Sequence, residues 1–134
     1  MGYYIHLYTD YLWFKYFIPS FIKKDFIFTL DGQIIFLTEE EKLKYIYNDY
    51  TNLNIALIDQ YNLDLKIFYE NIPTFKNIIT EIPMDKLHVI VDATGIIIKN
   101  SKVAKPYIFD LAEIKKFIQF ATDLITDNLK IYRS

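Results

Sequence analysis

The amino-acid sequence predicts an α+β fold in which a long C-terminal helix packs on a mixed or antiparallel sheet of about four to six strands. Three observations lead to this prediction. Short apolar runs, some alternating with polar residues and some continuous, recur along the chain and are typical of strands. Asp31-Gly32 separates two such runs, as the turn of a hairpin does. The last segment repeats apolar residues at helical spacing.

The length and composition favour one single globular domain covering residues 1–134. A chain of 134 residues is within the usual size of a domain, and no internal repeat or Gly/Ser linker divides it. The 12 Tyr and 11 Phe, against only 3 Gly and 4 Pro, indicate a well-filled core with aromatic surface left over. Half-buried Tyr on strands would explain the same composition, because Tyr is a favoured strand residue.

The N-terminal segment begins with a predicted strand over residues 3–8. In this segment Ile5 and Leu7 alternate with side chains that have polar tips, which suits a strand with an aliphatic inner face. A short helix over residues 10–18 is predicted to follow. It should end at Pro19, because proline cannot continue the helical hydrogen bonds.

Residues 25–38 carry the strongest local signal and predict a hairpin. Two β-prone apolar runs flank Asp31-Gly32, a pair that fits a two-residue type I′ turn. A helix should start immediately afterwards, because the hydroxyl of Thr38 and the carboxylate of Glu41 have the spacing of a capping box. Helical spacing of apolar residues continues this helix to about residue 50.

The middle of the chain is less clear. Residues 53–69 are compatible with a second helix followed by a strand, so the pattern leaves their structure open. Pro73 and Pro83 bracket a predicted short helix over residues 74–81.

The C-terminal part predicts a second hairpin, one further strand and the longest helix. The hairpin covers residues 87–100, with Gly95 in its turn, and the strand covers 105–109. Asp110 is the predicted cap of a helix over 111–128. One continuous apolar stripe defines that helix: Leu111, Ile114, Phe117, Ile118, Ala121, Leu124 and Ile125.

Several kinds of chemistry are excluded or disfavoured by residue types. Without Cys the chain can form no disulfide, thiolate nucleophile or cysteine-ligated metal site. Its three glycines, Gly2, Gly32 and Gly95, are isolated, so neither a P-loop nor a dinucleotide-binding fingerprint is present. No Ser lies in a Gly-x-Ser-x-Gly elbow. We therefore expect no enzyme activity and no cofactor.

Two weaker signals in the sequence concern metal-dependent chemistry. His6 and His88 fall on predicted strands, and Asp92 shares the strand face of His88, but no spacing fixes a third metal ligand, so we expect no metal site. Asp64-Leu65-Lys66 resembles the acidic-x-Lys triplet that metal-dependent nucleases place on a strand. The triplet lacks a suitable upstream carboxylate. A strand with alternating solvated charges explains it more simply.

Charge and hydropathy argue against nucleic acid and membrane as partners. The chain has 15 basic and 17 acidic residues and no extended basic face. Its most apolar stretch, residues 11–22, contains Lys15 and Pro19 and is too short to span a bilayer, so it is predicted to form core or interface. The aromatic residues within 11–21 are the second candidate for a partner-binding surface. No Lys or Arg precedes Lys15, so the basic start of a secretory signal is missing. The expected location is the cytoplasm.

The acidic residues are concentrated in the middle of the chain. Residues 38–85 contain nine Asp and Glu but only four Lys, which would steer a basic partner towards this region. On a helix starting after Thr38, the residues Leu43, Ile46 and Tyr50 should face inward. The predicted partner-binding residues are those expected on the outside of that helix together with one acid beyond it: Glu40, Glu41, Tyr45, Asp49 and Asp59.

These observations together favour a non-catalytic protein-binding module. In general character the chain is similar to the immunity proteins of bacterial toxin systems, which are small, acidic and catalytically empty, although this likeness carries no residues across. The predicted function is therefore an immunity or inhibitor protein that neutralises a toxin, plausibly a basic nuclease toxin. The alternatives are a viral or phage accessory protein, a subunit of a larger assembly, or, third, a metal-dependent nuclease.

Overall fold

The structure is mostly helical. In this computed structural model the chain is 67% helical, and the only sheet among the described residues has two antiparallel strands. The predicted α+β fold with a sheet of about four to six strands is therefore wrong. The structure describes residues 1–74, 76–77, 80–81, 83–101 and 104–133, without the side chains of 132 and 133. Its elements are α1 (Gly2–Leu12), α2 (Ile18–Phe21), β1 (Phe26–Phe28), β2 (Ile34–Phe36), α3 (Glu39–Tyr61), α4 (Leu87–Asn100) and α5 (Leu111–Arg133).

The chain divides into two compact units. The first consists of Met1–Tyr50 and Lys105–Ser134, and the second of Thr51–Ala104. The first half of α3 belongs to the first unit and its second half to the second. The single domain over residues 1–134 stays a prediction.

Helix α1 replaces the strand predicted over residues 3–8. Leu12 is fully buried, and Thr9 Oγ1 donates to the carbonyl of Ile5 at 2.8 Å, one helical turn back. Leu7, which the strand pattern placed inside with Ile5, lies half exposed on another side of the helix. The two-residue alternation was therefore a coincidence within a segment that is apolar on two helical faces.

The helix predicted over residues 10–18 exists but does not stop at Pro19. A π-helical turn over Trp13–Phe17 joins α1 to α2, and Pro19 is the second residue of α2. Proline has no N–H and its ring would clash with the carbonyl four residues earlier. The wider turn before it relieves both problems, so the chain stays helical to Phe21.

The hairpin predicted over residues 25–38 is confirmed, with a different turn. Its strands pair Phe26 with Phe36 and Phe28 with Ile34. Of the two turn residues only Gly32 has a positive φ, 82°, and its N–H donates to the carbonyl of Thr29 at 3.0 Å. The loop is therefore a three-residue type I turn closed by glycine rather than a two-residue type I′ turn.

Helix α3 begins at the predicted capping box and extends well beyond residue 50. The backbone N–H of Thr38 donates to the Glu41 carboxylate at 2.8 Å, and Glu41 N–H donates to Thr38 Oγ1 at 3.2 Å. The helix ends at Tyr61 because Asn62 adopts a left-handed conformation, with a φ of 47°. Residues 53–69 are thus helix to Tyr61, and a 3₁₀ turn at Lys66–Phe68 occupies the expected strand.

The helix predicted over residues 74–81 lies partly outside the described residues, since 75, 78 and 79 are not among them. Its described members 74, 76 and 77 are in no helix.

The second predicted hairpin is wrong, because residues 87–100 form helix α4. Gly95 does not make a turn. It allows close packing, since a Cβ at this position would lie 2.9 Å from the carbonyl oxygen of Phe68. The hydroxyl of Tyr69 also donates to the Gly95 carbonyl at 3.1 Å. The β-branched run around Gly95 is therefore compatible with a helix that needs a small residue at one contact.

Helix α5 confirms the predicted C-terminal helix and extends it to Arg133. Its buried residues follow the predicted stripe at Ile114, Phe117, Ala121 and Ile125, whereas Ile118 is exposed. The carbonyl of Asp110 accepts the first helical hydrogen bond, from Ile114 at 3.1 Å, which places Asp110 at the N-cap. Among the described hydrogen bonds, none is donated to its carboxylate.

The core of the first unit is an aromatic cluster around Trp13. The Trp13 ring stacks on Phe17 with 4.2 Å between centroids and contacts Phe109 and Phe117 edge-on. Its indole N–H donates to the Tyr50 hydroxyl at 2.9 Å. Burial of the Tyr50 phenol raises its pKa above the ordinary value, and the Trp13 hydrogen bond opposes this only in part.

Candidate functional site

Asp49, a predicted partner-binding residue, is completely buried. Its carboxylate oxygens accept hydrogen bonds from three successive backbone N–H groups, those of Tyr107 (2.8 Å), Ile108 (2.6 Å) and Phe109 (2.9 Å). This segment was predicted as a strand over 105–109, and that prediction is wrong. Its backbone donors are satisfied by one side chain instead of a neighbouring strand.

The buried side of α3 includes polar residues in both units, next to the apolar Leu53. In the first unit Lys42 is buried, and its ammonium donates to the carbonyls of Lys23 and Lys24. In the second unit Asn52 is buried, and its Oδ1 accepts from Ala104 N–H at 3.1 Å. Apolar residues at helical spacing do not reveal such buried polar positions. The side chains at these positions bind backbone groups of irregular segments, which the spacing within the helix does not indicate.

The outward position predicted for Asp49 is therefore wrong, and so is the inward position of Leu43. Leu43 is 48% exposed. The side of α3 that faces solvent carries Glu40, Leu43, Lys44 and Tyr47, which share one helical face because they are three or four residues apart.

The other predicted site residues have different surroundings. Glu40 is exposed and forms an ion pair with Lys44 at 3.1 Å. Glu41 is committed to the capping box, and its hydrogen bonds from Thr38 lower its pKa. Tyr45 is half-buried, and its ring packs edge-on against Tyr107. Asp59 is exposed in the second unit. Their role in partner binding stays a prediction.

An exposed apolar stripe, the α1 stripe, runs along α1 and into the π-helical turn that follows it; the sequence pattern indicated residues 11–21 as a candidate surface but did not include Tyr3 and Leu7. The α1 stripe consists of Tyr3, Leu7, Tyr11 and Phe14, all between 48% and 64% exposed. Spacings of four, four and three residues place them on one helical face. None of the four carries a charge. The assignment of residues 3–8 to a strand hid this face, because a strand puts Tyr3 and Leu7 on its inner side.

Neighbouring side chains hold the stripe in place. The ring of Tyr8 stacks on Tyr11 with 6.0 Å between centroids. The ammonium of Lys15 lies 4.9 Å from the centre of the Tyr11 ring and 5.3 Å from that of Tyr16, in cation–π geometry. A hydrogen bond to the Tyr11 hydroxyl raises the pKa of Lys15. These contacts limit the freedom of Tyr11 before any partner arrives.

The residues proposed for metal or nuclease chemistry are not arranged for it. Among the described residues, no three His, Cys, Asp or Glu side chains are grouped so as to hold a metal ion. His6 and His88 lie on helices, beside Asp10 at 3.4 Å and the Asp85 carbonyl at 2.9 Å respectively. Asp64 accepts from the backbone of Lys66 at 3.0 Å after the end of α3, not on a strand.

The second unit has two further apolar features. A cavity of about 680 Å³ lies between the 3₁₀ turn and the start of α4, and Glu70 is the one ionisable side chain among the described residues of its lining. On the outer face of α4, four aliphatic side chains are more than half exposed: Val89, Ile90, Ile96 and Ile97. Neither feature brings together a set of polar groups suited to catalysis.

Comparisons with known protein families, curated proteins and solved structures found no match to this chain. Nor does any helix in the described ranges combine the length and the apolar character needed to cross a membrane.

Proposed function

We propose that this chain is a non-catalytic protein-binding module that acts by covering the surface of a protein partner. The observation that carries the proposal is the α1 stripe of Tyr3, Leu7, Tyr11 and Phe14. Exposed large apolar side chains are ordinary when scattered, but an uncharged group on one helical face is typical of an interaction site.

The composition of the α1 stripe suits a protein more than a small molecule. Tyr and Phe are enriched in protein interfaces, because a ring gives much contact area for few rotatable bonds. The stripe is convex, being one side of a helix, whereas small ligands are bound in concave pockets. A groove on a partner protein is the complementary shape for such a helix.

The partner class that we favour is a basic toxin domain, with this chain as its immunity protein. Support comes from the net charge of −2 and from the exposed carboxylates of Glu40 and Asp59. Surface acids of this kind contribute mainly to the association rate and to its salt dependence. The apolar stripe would then supply most of the affinity.

The test is the affinity of an identified partner for two matched double variants. Tyr11→Ser with Phe14→Ser removes stripe residues that are 48% and 64% exposed. The matched control combines Leu43→Ser with Tyr47→Ser on α3. These two side chains are likewise 48% and 64% exposed. We expect the first pair to weaken binding by roughly 100-fold, in the range of interface hot spots, and the second by less than about 3-fold.

The partner should first be isolated by co-purification from the native host, and its affinity then measured by titration calorimetry with purified proteins. Melting temperatures of both variants check that each remains folded. Equal affinities for the wild type and the stripe variant would contradict the proposal. Charge reversal of Glu40 and Asp59 to Lys should slow association at low salt and leave dissociation nearly unchanged.

A further inference from the structure

The outer edge of β2 has backbone groups that are not used by the hairpin. Leu37 N–H donates to the Asp25 carbonyl at 3.1 Å, which makes these two residues a hydrogen-bonded pair. Such pairs alternate along an antiparallel ladder, so the next one joins Ile27 and Ile35. The N–H and C=O of Phe36, which lies between them, point away from β1.

The same geometry applies to Ile34. No hydrogen bond described for this chain involves the backbone N–H or C=O of Ile34 or Phe36. The opposite edge of the hairpin is different, because Ile22 forms a bridge to Ile27 and Lys23 N–H donates to the Phe26 carbonyl at 2.8 Å. Two residues of β2 thus present two donors and two acceptors to an added strand.

Apolar side chains lie on one face of the hairpin, next to the free edge of β2. Ile34 is 55% exposed and Phe36 is 74% exposed. Their cross-strand neighbours Phe28 and Phe26 are half-buried on the same face, and the Phe26 and Phe36 rings lie 5.5 Å apart. An added strand would place alternate side chains beside this face.

The charges around β2 are negative on balance. Residues 29–44 contain four carboxylates and two Lys, and the ammonium groups of Lys42 and Lys44 pair with Glu39 and Glu40. Asp31 lies before β2, in the turn, and Glu39, Glu40 and Glu41 follow it in the first turn of α3. A segment bound along β2 would therefore have acids near both of its ends.

We propose that the edge of β2 binds an extended segment of a partner protein as a third strand, with alternating apolar residues in its centre and Lys or Arg at both ends. This mode is β-augmentation, in which backbone hydrogen bonds give affinity and alternate side chains give specificity. The inference rests on the proposed function in that it names a second contact through which a protein partner is held.

Charge also argues against a second copy of this chain at the same edge. Antiparallel pairing of β2 with another β2 would bring the Asp31 turn of each copy towards the acidic start of α3 in the other. Like charges placed together oppose association, whereas basic ends on the incoming strand would be attracted.

The test uses a fluorescein-labelled peptide of sequence KKTVTVTKK and the full-length chain. Fluorescence anisotropy should show saturable binding with a Kd of roughly 10–100 μM at low salt, and weaker binding at higher salt. The peptide EETVTVTEE should bind at least 10-fold more weakly. N-methyl groups on the alternate amides of KKTVTVTKK that face β2 should also weaken binding at least 10-fold. N-methyl groups on the other set of alternate amides, which face away from β2, should leave binding unchanged.

On the protein side, Phe36→Pro removes the outward N–H and keeps the Leu37 hydrogen bond to Asp25, as proline on an edge strand permits. Phe36→Thr is the control, because it keeps the N–H while removing the ring. We expect binding to fall at least 10-fold for Pro, and further than for Thr. Loss of binding with Thr as large as with Pro would reject the backbone mechanism.

Other outcomes also decide the matter. Failure of KKTVTVTKK to bind, or equal binding by its methylated forms, overturns β-augmentation. Sedimentation showing a dimer that Phe36→Pro dissociates would assign the edge to a second copy and reject the basic segment. If a purified partner still needs the α1 stripe while the peptide fails, the edge proposal alone is wrong. If the peptide binds but no partner depends on the stripe, the proposed function alone is wrong.

Discussion

Replacement of Asp49 by Ala should be among the most damaging single changes in the first unit. The carboxylate holds the backbone of residues 107–109, and Phe109 in turn packs against the Trp13 ring. Without the carboxylate, the buried N–H groups of Ile108 and Phe109 lose their acceptor. No neighbouring strand can take over, because this segment pairs with none in the described structure.

The magnitude follows from the hydrogen bonds. A hydrogen bond to a charged group contributes about 1.5–3 kcal/mol, and a buried donor left without a partner costs about 1–3 kcal/mol. The three bonds to Asp49 share one carboxylate, so their effects overlap rather than add. We expect a loss of about 4 kcal/mol, a large part of the roughly 5–15 kcal/mol that stabilises a domain. Asp49→Asn, which keeps one carbonyl oxygen, should lose about 2 kcal/mol.

Urea unfolding followed by tryptophan fluorescence measures this loss directly, because Trp13 is the only Trp and lies against the tethered segment. Glu40→Ala is the control, since it removes an exposed acid from the same helix and should change stability by no more than about 0.5 kcal/mol. A loss below about 1 kcal/mol for Asp49→Ala would refute the tether.

Three further predictions concern packing and pH. Gly95→Ala should destabilise the chain by about 1–3 kcal/mol in urea unfolding, despite the gain in helix propensity, because its Cβ would lie 2.9 Å from the Phe68 carbonyl oxygen; a stabilised variant would contradict this contact. The lowered pKa of Glu41 means that its contribution to stability is present above the ordinary pKa of 4.5 and is lost as pH falls through the folded value. The melting temperature of Glu41→Gln should therefore fall less on acidification than that of the wild type. An identical fall in both proteins would argue against the capping box. Because the pKa of Tyr50 is raised in the folded protein, its contribution to the free energy of unfolding is constant below the ordinary pKa of 10.0 and falls as pH rises above 10.0. Tyr50→Phe should therefore lose less stability at alkaline pH than the wild type does. An equal loss in both proteins would exclude Tyr50 as its source.

The features that the sequence predicted correctly depend on local chemistry. The hairpin needs a glycine that accepts a positive φ, the start of α3 needs a hydroxyl and a carboxylate three residues apart, and α5 has an uninterrupted apolar stripe. Each signal is complete within a few residues or one helix, so tertiary contacts did not override it.

The wrong secondary-structure predictions fall where the same apolar residues fit both the two-residue spacing of a strand and the helical spacing. The aliphatic run in α4 and the start of α1 are apolar on more than one side, so they fit both an alternating strand and a helix. Gly95 looked like a turn residue but is needed for packing against Phe68. For α4 a contact distant in sequence, between Gly95 and Phe68, is compatible only with a small residue at that position.

The candidate site was missed in part for a related reason. Apolar spacing places Tyr50 correctly on the inner side of α3, where it contacts Trp13, but it does not predict that Lys42 and Asp49 are buried on that helix. Both bind the backbone of segments without regular structure, and single-sequence periodicity contains no information about such partners. The sequence indicated residues 11–21 as a candidate surface, but Tyr3 and Leu7 join Tyr11 on one face only because residues 2–12 are helical.

The central claim, that the α1 stripe is the surface covered by a protein partner, is tested most directly by hydroxyl-radical footprinting of the complex. Oxidation of Tyr11 and Phe14 should fall several-fold when the purified partner is added, while oxidation of Tyr47, as exposed as Phe14 in the free chain, should not change. Protection of Tyr47 with no protection of Tyr11 and Phe14 would contradict the claim.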